Sequence, residues 1–211
     1  MPNWCANTLE LAHEDPAMIE RARVAFNDGR LCNEFAPVPE DLHIVAGRVG
    51  SDDEQNQKDL VAQEEANMAK FGYANWYDYC VNEWGTKWDV GGDGMIADLL
   101  EDGRLAMTFD SAWSPPLEFY GKMCDLGFSV RAYYYESGMC FAGIWEDHDD
   151  DFYDLSDCRD AQEVEDTLPT VLDEMFCISE YMREYEAENA EEEELYTFVT
   201  EGAEAKKAKS E

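Results

Sequence analysis

From Trp4 to Leu11, Cys5, Asn7, Leu9 and Leu11 alternate with more polar neighbours, the period of two expected of a strand with one buried face. The period then lengthens. Asp15-Pro16 reads as an N-cap followed by proline at the first helical position, and Met18, Ile19, Ala22, Ala25 and Phe26 share one face of a helix that Asn27-Asp28-Gly29 ends. A loop containing Phe35-Ala36-Pro37-Val38-Pro39 follows, and the polar run Ser51 to Lys58 reads as an exposed connection. Leu60 to Phe71 is expected to be helical, with Gly72 at its end. Asn75 caps a short aromatic helix, Trp76 to Val81, which Gly85 closes. Thr86 to Val90 and Leu105 to Phe109 read as strands. Between them stand a turn at Gly91-Gly92-Asp93-Gly94 and an expected helix over Met95 to Leu100. Ser114-Pro115-Pro116 opens a helix with Leu117, Tyr120, Met123 and Cys124 inward, and Phe128 to Tyr135 and Met139 to Trp145 form a hairpin across Glu136-Ser137-Gly138.

This order predicts an α+β fold of the ferredoxin-like, split βαβ kind: an antiparallel sheet with helices on one face. The domain spans 1–146 and carries a helical insertion near 55–84. An acidic, largely helical C-terminal appendage at 147–201 and a frayed tail at 202–211 complete the expected organisation.

Charge changes the picture most. The 211 residues carry a formal net charge of −34, yet 45% are hydrophobic, which excludes general disorder. Such a surface repels phosphates and has no counterions to release from DNA, so direct nucleic-acid binding is excluded and basic surfaces are the natural partners. Some basic surfaces are themselves the nucleic-acid grooves of other proteins. The start Met1-Pro2-Asn3-Trp4-Cys5 lacks a basic region followed by an apolar stretch, and no segment has the apolar length of a membrane span, so a cytoplasmic address without membrane association is expected. The seven cysteines stand singly, without a CxxC pair, and read as reduced thiols rather than a disulfide framework.

Of the 49 Asp and Glu residues, 22 lie between Glu146 and Glu201, against Arg159 and Arg183 alone. After Pro169, Val171, Met175, Ile178, Met182 and Tyr185 repeat at four-three spacing, an apolar seam for packing or self-association into a homo-oligomer. Asp173, Glu180, Glu184, Glu188 and Glu191 fall on the opposite side. Four helical residues rise about 6 Å, so these carboxylates recur at intervals comparable with phosphates along a strand. Together with Asp147, Asp149, Asp150, Asp151, Asp154, Asp157 and Asp160 they form the expected partner-binding set, imitating a nucleic-acid backbone. The plainer reading is a solvated face that keeps the chain soluble.

His148-Asp149-Asp150-Asp151 invites a metal, but a calcium loop counted from Asp147 has Phe152 where glycine is needed and Cys158 where glutamate belongs, so no metal is assigned. No HExxH, GxSxG, phosphate-loop or paired Cys/His signature is present, and neither catalytic residues nor a cofactor are assigned. Trp76, Tyr77, Trp84, Trp88, Trp113 and Trp145 read as core and motif packing, with an exposed subset able to anchor a protein interface.

Four of these stretches occur in order: Met1-Pro2-Asn3-Trp4-Cys5-Ala6-Asn7, Asn75-Trp76-Tyr77, Trp84-Gly85-Thr86-Lys87-Trp88-Asp89, and Phe109-Asp110-Ser111-Ala112-Trp113-Ser114-Pro115-Pro116. Together they resemble the YubB-like family of accessory proteins from phages, plasmids and integrated elements. The resemblance covers residues 1–146; it implies a ferredoxin-like domain and a mobile-element setting, and no catalytic residue. The functional expectation is therefore a non-enzymatic inhibitor of a host nucleic-acid-binding defence protein, a CRISPR effector or restriction nuclease, acting by nucleic-acid mimicry. The alternatives are an oligomeric scaffold of the mobile element and a carboxylate-metal enzyme near His148.

Overall fold

The computed structural model of the chain describes residues 3–47, 54–92 and 94–190. The alternation at the start becomes β1 (Trp4–Ala12), with Cys5, Asn7, Leu9 and Leu11 fully buried. α1 (Pro16–Asn27) begins as its sequence requires: Asp15 accepts a hydrogen bond from the Ala17 N–H, and Pro16 supplies the first helical residue. α2 (Leu31–Phe35), a 3-10 turn at Glu40–Leu42, α3 (Glu54–Phe71) and α4 (Trp76–Glu83) follow before the chain returns to the sheet. There it forms β2 (Ile96–Leu99), β3 (Leu105–Ala112), α5 (Leu117–Asp125), β4 (Ser129–Glu136), β5 (Phe141–Glu146) and β6 (Asp149–Asp154).

The six strands form one open antiparallel sheet in the order β2-β3-β1-β4-β5-β6. β1 is central, with Leu9 between Met107 and Ala132, and Asn7 between Phe109 and Tyr134. One face meets the helices. Leu9, Leu11, Met107, Phe109, Val130 and Ala132 form a core with Ile19, Ala22 and Phe26 of α1 and Phe119, Tyr120 and Met123 of α5. Each large side chain buried this way contributes about 1.5–3 kcal/mol, so the sheet and these two helices stabilise each other.

Three expectations are corrected in this region. Thr86 to Val90 is a loop, not a strand, because side chains take over its hydrogen bonding: Thr86 Oγ1 exchanges bonds with the Ala112 backbone, and Asp89 accepts from the N–H groups of Cys32, Asn33 and Val90. Met95 to Leu100 holds strand β2 rather than a helix. The four residues Ile96-Ala97-Asp98-Leu99 are too few to show a decisive period, and pairing with β3 across the Leu100–Arg104 turn decides it. The expected connection from Ser51 to Lys58 is helical from Glu54 onward, and 51–53 lie outside the described residues. α3 buries only Leu60 and Asn67; the Asn67 amide ties it to the Asp41 and Ala74 carbonyls.

The chain divides into two compact units between Phe152 and Tyr153. Residues 149–154, expected within a largely helical appendage, are strand. Asp147 and His148 both have positive φ, 45° and 79°, as the two central residues of a tight hairpin turn require, so β6 folds back along β5. β6 is held by Tyr134, whose buried ring lies against Gly143 of β5 and whose hydroxyl donates to Asp150 at 2.7 Å. In the second unit, α6 (Ala161–Thr167), α7 (Thr170–Phe176) and a helical run at 178–190 bury Ala161, Val164, Leu172 and Ile178.

Desolvation raises the Asp150 carboxyl above its ordinary value of 3.8, and neighbouring Asp151 and Asp149 add to the rise, against the lowering effect of the Tyr134 hydrogen bond. The folded chain thus holds this proton to a higher pH than the unfolded chain does. The Asp150 contribution is fully present below 3.8 and is lost as pH rises through the folded value. The stability of the wild type relative to Asp150→Asn should therefore decline across that window in denaturation curves; a difference independent of pH would refute the assignment.

Candidate functional site

Beyond the core, the motif stretches meet at the surface. Trp4 opens β1 opposite Ala112 at the end of β3, and its ring centroid lies 5.9 Å from that of Trp88 in the loop after α4. The Lys87 ammonium sits 4.5 Å from the Trp88 ring, 5.3 Å from Trp113 and 5.7 Å from Tyr77, all within the range at which an aromatic face attracts a cation. Trp4, Trp88 and Trp113 are 48%, 40% and 42% exposed. Three large rings left this open together are not explained by packing.

The backbone holding them is over-determined. Trp113 is in the left-handed region at φ 69°, a conformation that costs a bulky residue about 1–3 kcal/mol. It is held by its N–H donating to the Asn3 carbonyl at 2.9 Å, by Ser111 Oγ donating to the Ser114 carbonyl at 2.7 Å, and by Ser114 Oγ donating to the Gly85 carbonyl at 2.6 Å. Beneath, the buried Asn7 amide donates to Ser111 Oγ at 2.8 Å and to the Cys5 carbonyl at 2.7 Å, and its oxygen accepts from the Tyr120 hydroxyl at 3.3 Å. A fully satisfied buried network of this kind fixes one arrangement of the strands that carry Trp4 and Trp113.

The loop of Lys87 and Trp88 is anchored by Asp89, whose carboxylate caps the start of α2. Desolvation raises the Asp89 carboxyl, while the three N–H donors act in the opposite direction. Beside it lies a cavity of about 270 Å³ walled by Trp76, Trp84, Trp88, Cys80 and Val38, with Arg30 and His43 also lining it. The Cys80 thiol is pushed up to about 12, chiefly by burial, and Cys5 and Cys124 likewise, so these thiols stay protonated and are poor nucleophiles. Among the described residues, no group of three or more His, Cys, Asp or Glu side chains is placed to hold a metal ion.

The structure disperses the carboxylates singled out from the sequence. Asp147 accepts from the Val130 N–H and from Ser129 Oγ at the β5–β6 turn, Asp154 accepts from the Ser156 N–H, and Asp160 caps α6 through the Glu163 N–H. Asp150 is engaged by Tyr134, and the alternation of a strand sends Asp149 and Asp151 to the face opposite Asp150. Asp157 is exposed. The single helix expected after Pro169 is interrupted: α7 ends at Cys177, which is left-handed at φ 52°, and Ser179 donates both its N–H and its hydroxyl to Asp173. Asp173 is thus a bonded residue of α7, off the helix that bears Glu180. The seam is broken at the same point, with Val171, Met175 and Tyr185 exposed, Met182 partly so and Ile178 buried. Glu180, Glu184 and Glu188 remain a row on the 178–190 helix, all exposed; Glu191 lies outside the described residues.

The exposure of Trp88 and Trp113 corrects their reading as packing residues and places both in the exposed subset able to anchor an interface, which the sequence did not single out. The only signal available was that three separated motifs each carry a tryptophan next to a short polar side chain, and nothing in that pattern tells buried from exposed.

Fold and site together define an α+β protein with an open antiparallel sheet and an exposed aromatic cluster at one end of its central strands. No family model matches the chain, and no curated protein does. Among solved structures it is similar to the crystal structure of a protein api92 from Yersinia pseudotuberculosis, of the family-model DUF1281, at 14% identity and a TM-score of 0.41, covering 72% of this chain and 98% of that one. At that distance no residue role is carried across. Among the described residues, no helix is long and apolar enough to cross a membrane.

Proposed function

We propose that the chain is a non-catalytic binding protein that docks on a basic, nucleic-acid-binding host protein, with the aromatic cluster around Lys87 as its anchor. The observation that carries this reading is the joint exposure of Trp4, Trp88 and Trp113 on a strained, heavily bonded backbone. Tryptophans on rigid supports provide much of the energy of protein interfaces at low entropic cost. The net charge of −34 speeds encounter with a basic surface, while the rings supply affinity that salt does not screen. Glu180, Glu184 and Glu188, about 6 Å apart along one helix, are the remaining candidates for phosphate imitation. The strand order β2-β3-β1-β4, with α1 leading from β1 towards β2 and α5 joining β3 to β4, supports a ferredoxin-like reading of the domain. The four aromatic motifs support the YubB-like resemblance and a phage or plasmid origin, and the net charge of −34 in that setting is the ground for taking a defence nuclease as the target.

The test is capture of host proteins on the tagged chain with elution by a salt gradient. A nucleic-acid-binding protein should leave the column as salt rises and be displaced by added DNA. Replacing Glu180, Glu184 and Glu188 with Gln should shift elution to lower salt, and Trp88→Ala should weaken retention at every salt concentration. Recovery of the chain alone would overturn the proposal in favour of a scaffold.

A further inference from the structure

We infer that the Trp4–Trp88–Trp113 cluster is an arginine-selective docking site, in which a guanidinium from the basic partner stacks on the rings and pairs with Asp110. This rests on the reading above and adds the chemistry of the anchoring contact. Two of the three rings already hold a cation, since the Lys87 ammonium lies 4.5 Å from Trp88 and 5.3 Å from Trp113, and the third, Trp4, lies 5.9 Å from Trp88. The register places a carboxylate beside them. Trp4 pairs with Ala112, and Asp110, two residues along β3, projects from the same face of the sheet, at the diagonal distance over which long side chains interact. Ala6 stands opposite Asp110, so small side chains flank the space between the Trp4 ring and the carboxylate. Asp110 is exposed and pairs with no cation among the described residues.

A planar group that both stacks and donates in a fork fits this arrangement better than a compact ammonium. Guanidinium is weakly hydrated, lies flat on indole and can bond a carboxylate through two N–H groups, whereas an ammonium gains chiefly as a point charge. The site should therefore discriminate between two cations that the acidic surface, acting at long range, treats alike.

The test titrates the full chain with nonaarginine and nonalysine at equal ionic strength, following tryptophan fluorescence and checking the heats by calorimetry. Wild type should bind the arginine peptide about tenfold more tightly, the size expected of a partly desolvated cation–π contact reinforced by an ion pair. Asp110→Asn leaves the rings in place, and Trp113→Gly removes one ring while suiting the left-handed backbone; in both, the preference should collapse while lysine-peptide affinity changes little. Replacing Glu180, Glu184 and Glu188 with Gln should weaken both peptides equally. Equal affinity of the wild type for the two peptides, or a preference unchanged in both variants, overturns the arginine site and leaves the basic-partner reading standing. Failure of either peptide to bind at low salt overturns both.

Discussion

Replacing Gly91 with alanine should cost the folded chain about 4 kcal/mol, by combining an overlap that cannot relax with an unfavourable backbone conformation. A Cβ at this position would fall inside the 3.0 Å limit of real Cβ contacts against the Phe26 carbonyl. That atom belongs to the last turn of α1, where it also accepts hydrogen bonds from the Gly92 N–H at 2.7 Å and the Gly29 N–H at 3.0 Å. Relief would require moving the end of a helix whose Phe26 and Ala25 are buried in the core, or the loop that leads into β2. With φ at 100°, Gly91 also occupies a region that L side chains rarely adopt. Urea unfolding would measure the loss; a change below about 1 kcal/mol would show that the α1 terminus and the loop are not packed as described.

Gly143→Ala should cost about 3 kcal/mol for a purely steric reason, because the φ of Gly143 is not left-handed. The added methyl would overlap the Tyr134 phenol, which lies against Gly143 on its way from β4 to Asp150 on β6. The ring is 1% exposed and has no room to retreat without leaving the core, and the hydrogen bond to Asp150 would go with it. A double-mutant cycle isolates the cause. In a Tyr134→Ala background the same substitution should cost almost nothing, whereas additive penalties would mean that Gly143 is required for another reason.

Much of the first unit was legible because local chemistry and tertiary demand agree there. The Asp15-Pro16 cap, the Asn75 cap, the alternation of β1 and the β4–β5 hairpin each rest on residues whose preferences act within a few positions. Errors fell where partners distant in sequence decide. Ile96 to Leu99 is strand because β3 is available to pair with it, and Thr86 to Val90 is not, because Thr86 and Asp89 spend their bonds on Ala112 and α2. The four-three spacing from Val171 to Tyr185 counted a helix through Cys177, where the bonds from Ser179 to Asp173 end one helix and begin another.

By itself, the sequence determined the sign and size of the charge and the existence of an α+β core, since both follow from composition and short-range pattern. Tertiary structure alone decided which side chains share a site. Whether Trp88 and Trp113 face solvent or core depends on how residues 4, 88 and 113 are brought together through Asn3, Thr86 and Ser114, contacts made between chain segments up to about a hundred residues apart. Carboxylates that are neighbours in sequence were separated by the same means: a strand turns alternate residues to opposite faces, and each cap claims its own aspartate.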